Sequence, residues 1–215
     1  MKYKLTKNKR TIGNVTLYQI EALKNFSNIK KGDLGGWIEK ESNLSHQGDC
    51  WVSNQAEVFD NARVSGSAVV FNFAKVYGDA EVFDNARVFG SAEVYGDAGV
   101  YGSARVFGSA EVYDNARVFG SAWVSGNAMV YGDARVYDNA WVSGFAKVSV
   151  FAKVYGNAKV FGNARVFGFA KVYGDAGVYG SASVYDDAEV YDNAMVFGKA
   201  KVFGKAKVFG DSIIK

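Results

Sequence analysis

Ala80-Glu81-Val82-Phe83-Asp84-Asn85 and the residues that follow it, Ala86-Arg87-Val88-Phe89-Gly90-Ser91, are two copies of one unit. Every sixth residue from Ala56 to Ala206 is alanine, and every sixth from Val58 to Val208 is valine. The register extends outward to Cys50 and Val52 at one end and to Ser212 and Ile214 at the other. Alanine and valine stand two apart, so in an extended segment they point the same way, while the residue between them and the following aromatic point the other way. The slot between them holds Glu57, Arg63, Lys75, Glu81 and Arg87, a solvent-facing set. The Ala/Val side is therefore the core.

The fifth slot is Gly, Asp or Asn in every unit from Asp60 to Gly210 except at Val150. These residue types tolerate positive φ, which places a corner there. When the corner is Asp, the next residue is Asn or Asp, as in Asp60-Asn61 and Asp186-Asp187. A helix would scatter the Ala/Val pair around its surface, so the helical reading fails. A strand this short cannot stand alone and must stack on equivalent strands of neighbouring coils. Trp123-Val124-Ser125 recurs as Trp141-Val142-Ser143, and Phe151 recurs as Phe169, each 18 residues on. That interval makes three hexads per triangular coil. The Asp-Asn hexads instead recur at 24 and 30, which are multiples of six only. The expected fold class is all-β, a single-stranded parallel β-helix over residues 50–215, with about nine 18-residue coils stacked over roughly 43 Å. Residues 1–49 form a small N-terminal β cap, with alternation over Val15–Leu23 after a Gly13-Asn14 turn.

The repeat resembles the left-handed parallel β-helix hexapeptide family, and the left hand is what that resemblance implies. The Gly-Asp-Leu-Gly-Gly-Trp-Ile-Glu run at 32–39, Asn43-Leu44-Ser45 and Gly48-Asp49-Cys50-Trp51-Val52 resemble the opening of the YdcK-like family. Those hexapeptide-repeat proteins carry an acetyltransferase label. The resemblance implies acyl transfer as the competing activity, in a trimer whose histidine base sits between subunits. Here the single histidine is His46, read as occupying, in a degenerate first hexad, the slot that valine fills later. No loop interrupts the coils, and their carboxylates lie at corners or in the exposed slot, so no general base of suitable pKa stands out.

The chain has 215 residues, a net charge of +3, one cysteine and no proline. A lone cysteine excludes a disulfide framework and suits a reducing compartment, so a cytoplasmic location is expected. No stretch approaches the ~18 apolar residues of a membrane span, and no membrane partner is expected. No cofactor or metal is implied: ligand clusters are missing from the pattern, and corner carboxylates serve the turns.

Two surface features stand out. Trp123 and Trp141 should stack on one face, and Ser125 and Ser143 remove the ring that usually follows. These four residues form a candidate contact patch for a protein partner or a homo-oligomer, since Trp is a favoured interface anchor. Between Asn139 and Gly174 lie five cations, Lys147, Lys153, Lys159, Arg165 and Lys171, and no acid. Three faces per coil make that run a collar rather than a groove; a nucleic acid is the alternative partner it would serve. The aromatic slot, with 11 Phe, 11 Tyr and four Ser from Phe59 to Phe209, reads as mutual coverage by stacked rings. The functional expectation is a non-catalytic, rigid interaction or structural protein. A phage or mobile-element accessory protein that sequesters a host factor is one form it could take.

Overall fold

The computed structural model describes the whole chain, Met1–Lys215. Three strands open it: β1 (Tyr3–Ile12), β2 (Val15–Ala22) and β3 (Leu34–Ile38). From Trp51 onward each hexad supplies one two-residue strand, the exposed-slot residue with its valine. Successive strands fall on three sheets in rotation, of 12, 10 and nine strands. Every one of them pairs in parallel with the strand one coil away, as Arg87 with Arg105, Trp123 with Trp141 and Lys153 with Lys171. The 24- and 30-residue recurrences therefore carry no structural period.

The interior is dry. From Ala56 to Val196 every repeat alanine and valine is at most 1% exposed, and the column forms one cluster with Tyr3, Ile20 and Ala22 of the cap. Each corner residue has positive φ, for example +58° at Asp84 and +75° at Gly90. Outside the prism the aromatic slots stack, as Tyr77 on Tyr95 with centroids 4.9 Å apart and planes 4° from parallel. One rung of parallel sheet, about 4.8 Å, is also a favourable ring separation, so the coil repeat and the ring ladder reinforce one another.

The backbone gives the prism a polarity. The exposed-slot N–H donates to the alanine carbonyl of the next coil, as Trp51 N–H to Ala68 O at 3.0 Å. The aromatic-slot N–H likewise donates to the next valine carbonyl, as Ser53 N–H to Val70 O at 2.9 Å. Carbonyl groups from alanine, valine and corner residues consequently point toward the N-terminal end, where no earlier coil supplies donors. The cap supplies them. Lys2 Nζ donates to Cys50 O at 2.7 Å and Gly48 O at 3.3 Å, and Tyr3 OH lies 2.8 Å from Leu44 O and 3.0 Å from Glu41 O. Both side chains are fully buried. An ammonium is tolerated there because it meets a concentration of outward carbonyl dipoles.

β1 pairs with β2 and β2 with β3, all antiparallel, and β3 then runs parallel to Glu57–Val58. The hairpin thus extends one wall of the prism. Gly35 and Gly36 mark the junction: a Cβ on Gly35 would lie 2.5 Å from Ile20 Cγ1, and one on Gly36 2.7 Å from Ala56 O. Only glycine lets the two layers approach so closely. Pairing with the coils reaches back to Trp37, with Ile38 beside Val58, Leu44 bridged to Val64 and Val52 beside Val70.

This corrects the expected position of His46. The valine slot of the first coil belongs to Leu44, and the bend at 45–48 is longer than later corners. An imidazole in that slot would bring two polar nitrogens into a dry column. In the bend, His46 stacks on Tyr3 at 4.4 Å, and its Nδ1 accepts the Lys2 N–H at 3.2 Å.

Candidate interaction face

Sorting the exposed slot by sheet separates its charges. The 12-strand wall carries Glu57, Glu93 and Glu111, and the nine-strand wall carries Glu81 and Glu189. The ten-strand wall carries none. Its exposed column begins with Trp51, packed under the cap against Phe26, and continues through Val69, Arg87 and Arg105 to Trp123 and Trp141. Beyond these come Lys159, Gly177, Met195 and Ile213. The rings flanking this wall differ as well. Tyr179 is its single tyrosine, whereas each of the other two walls has five.

Trp123 and Trp141 sit on adjacent rungs with centroids 5.8 Å apart and planes at 67°. They do not stand out as flat platforms. Ser125 and Ser143 leave two gaps in the ring ladder, and the indoles close the break between Phe107 and Phe161. Trp123 meets Phe107 edge-on at 6.1 Å, and Trp141 meets Phe161 at 5.0 Å and 83°. Trp141 Nε1–H donates to Ser125 Oγ at 3.3 Å, and Ser125 is buried beneath it. The indoles keep 37% and 38% of their surface exposed. Ser103, Ser121 and Asn139 line their other side in a shallow recess of about 520 Å³, with Arg105 at one end.

The arginines are splayed onto rings: Arg87 lies over Phe71 at 5.4 Å and Arg105 over Trp123 at 5.0 Å. Neither they nor Lys159 form an ion pair. Aromatic residues, Met and Arg without Glu or Asp is the composition enriched at protein interface cores. The tryptophans were legible in the sequence through their doublet. Arg105 and the missing carboxylates were not, because their signal appears only when the hexads are sorted by threes.

The five cations of the collar are divided among the walls. Lys147 and Arg165 lie on the 12-strand wall, Lys153 and Lys171 on the nine-strand wall, and Lys159 on the tryptophan wall. Lys171 Nζ is held by Glu189 at 2.9 Å, which raises the lysine pKa and lowers that of the glutamate. The structure therefore gathers no more than two of the five on any one wall. No three His, Cys, Asp or Glu side chains converge as metal ligands.

His46 lines a separate recess of about 520 Å³ with Glu41, Ser42, Ser45, Arg63 and Glu81 among its walls. Its Nε2 is 3.9 Å from Glu41 Oε2. Because Nδ1 already accepts a backbone N–H, the neutral ring carries its proton on Nε2. Nε2 is buried and finds no hydrogen-bond partner, so neither ring nitrogen is free to act as a general base. No helix of the chain is long and apolar enough to cross a membrane.

Comparison with known proteins agrees with the repeat architecture. The family model described as the YdcK β-solenoid repeat matches residues 56–71, 110–126 and 128–144. The chain is also 36% identical over 75 residues to a protein of Escherichia coli (strain K12) named "Uncharacterized acetyltransferase YdcK". That similarity covers 31% of this chain and 23% of the Escherichia coli protein. The three matched stretches of the prism are thus similar to YdcK-type β-solenoid repeats.

Proposed function

We propose that the protein is a rigid, non-catalytic contact module that binds a protein partner through its tryptophan wall. The observation that carries this reading is the exclusion of every exposed-slot carboxylate from that one wall. Five glutamates over two walls and none on the third separate the faces electrostatically. Coils of this kind cannot flex individually, so the partner would meet a preformed surface and little ordering entropy would be lost on binding. Sequestration of a host factor is one use such a surface would serve.

Acyl transfer is the second reading, supported by the name of the Escherichia coli relative and by the recess at His46. Against it stands the imidazole itself, with Nδ1 engaged by the Lys2 N–H and Nε2 buried. Incubation with acetyl-coenzyme A and a panel of amines and sugars tests the choice. The expected result is no turnover above background; turnover abolished by His46→Ala would reverse it.

A further inference from the structure

We infer that the partner on the tryptophan wall is a second copy of this chain, packed antiparallel about a two-fold axis between Trp123 and Trp141. This rests on the reading of that wall as a contact face. In a two-fold interface residue i meets j and j meets i, so the column must be complementary to its own reversal. The apolar members of the exposed column are. Reversal about the midpoint places Trp123 opposite the second copy's Trp141 and Val69 opposite its Met195, apolar against apolar. Arg87 falls opposite Gly177, where the Tyr179 ring folds into the space a side chain would fill and offers an aromatic face to the guanidinium. Arg105 falls opposite Lys159, an unfavourable match that the two-fold repeats on both sides of the axis.

A parallel arrangement is worse. It sets Arg87, Arg105 and Lys159 each against itself, three like-charge contacts in the middle of the face. Reversal keeps the tryptophans together and leaves one kind of clash. Both copies share the rung spacing, so a slip by whole rungs preserves the shape match. The indole pair and the cations then set the register.

The area is sufficient for a modest dimer. Val69 to Met195 spans eight rungs and seven spacings, about 34 Å, and the wall with its flanking slots is five residues or roughly 16 Å wide. That amounts to roughly 1,100 Å² over both copies, just above the ~1,000 Å² that a specific interface needs. Base stacking by a single-stranded nucleic acid is a weaker fit. Stacking needs free ring faces, while Trp141 is tucked edge-on against Trp123 and Phe161 and Trp123 is covered by Arg105.

Mass measurement in solution over a concentration series is the first test. The inference expects a reversible rise from 23.3 kDa toward twice that mass, with Trp123→Lys plus Trp141→Lys weakening association at least tenfold. Direction is read by crosslinking, since facing sheets about 10 Å apart suit a short bis-maleimide. Val69→Cys and Met195→Cys variants mixed in equal amounts should give a covalent dimer, and neither should do so alone. Cys50 is buried and does not compete. A chain that stays monomeric at every concentration overturns the inference, as does crosslinking of Val69→Cys with itself. A monomer that also lacks acetyl-coenzyme A turnover removes the dimer and leaves the non-catalytic reading intact; turnover removes that reading whatever the mass.

Discussion

The Asp114 carboxylate accepts the backbone N–H of Gly132, one coil further along the prism, at 3.1 Å. The same bond recurs from Asp60 to Gly78, Asp84 to Gly102, Asp138 to Gly156, Asp186 to Gly204 and Asp192 to Gly210. Corner aspartate and overlying glycine are thus one device. The αL corner strains any side chain, and the aspartate offsets that strain by satisfying a donor of the next coil.

Gly90 tests the trade. It stacks under Gly108 with φ +75°, and an added Cβ would lie 2.9 Å from the Gly108 nitrogen. Gly90→Ala adds strain with no new bond and should cost about 1–2 kcal/mol. Gly90→Asp adds the same carbon but places a carboxylate beside that nitrogen. It should recover about 1 kcal/mol of the loss, as measured by denaturant unfolding. Equal destabilisation by the two substitutions would mean that the corner carboxylates contribute nothing.

Val150 is the corner that breaks the rule. A β-branched residue at φ +63° is strained, and here it is 44% exposed, so little burial compensates. Val150→Gly should raise stability by about 1 kcal/mol, or a few degrees in Tm. An unchanged or lower Tm would show that the valine side chain contributes packing that outweighs its backbone cost.

The hexad made the coil, the corner and the core legible from the residues alone, because a period of six with valine and alanine two apart allows few other folds. The cap was legible only in part. Alternation over Val15–Leu23 announced a strand, whereas the close approach at Gly35 and Gly36 was not read. That Lys2 and Tyr3 would cross the end of the prism was not readable, since it depends on which way the carbonyls point. His46 was misplaced for a related reason. Counting back by sixes assumes that the first bend has the length of the others, and the bend between Leu44 and Val52 does not. For the contact face, the doublet at Trp123 and Trp141 was visible, whereas the missing carboxylates emerge only once the rotation of strands among walls is known.

The cap makes a separate prediction. Tyr3 OH is a buried donor between the carbonyls of Glu41 and Leu44. Tyr3→Phe preserves the ring and its stacking on His46 but leaves those carbonyls without it. The expected cost is about 1–3 kcal/mol. Hydrogen exchange should show the loss concentrated near residues 37–52, since a solenoid transmits stability only between neighbouring coils. A uniform loss across all coils would contradict this.

Tyrosines set the alkaline limit. Tyr77 and Tyr95 are pushed well above the ordinary phenol value, first by burial in the ring ladder and then by donating to Glu93 and Glu111. Tyr173 is raised to about 12, again with burial as the first cause and Glu189 the next. A raised folded-state pKa means that the native state holds its protons longer than the unfolded chain. The associated stability is therefore complete below the unfolded value of about 10 and is lost as pH rises above it. Unfolding free energy should be unaffected by these groups from pH 7 to 9 and fall from pH 10 upward. Glu93→Gln should shift the absorbance titration of Tyr77 to lower pH, because the carboxylate that resists phenolate formation is gone.

The 18-residue rotation can be tested by deleting whole units. Removing 163–180 takes out one coil, leaves every downstream strand on its own wall and keeps Trp123 over Trp141. Removing 128–133 takes out one hexad between the tryptophans, and the interior still sees an unbroken Ala/Val column. Trp141 then moves to a different wall from Trp123. Both variants should keep the far-ultraviolet dichroism of the parent, because one hexad serves the core as well as another. The near-ultraviolet signal of the indole pair should survive the coil deletion and vanish in the hexad deletion. If the hexad deletion instead unfolds the chain, the walls are not interchangeable, and side chains outside the core help to decide which strand lies on which sheet.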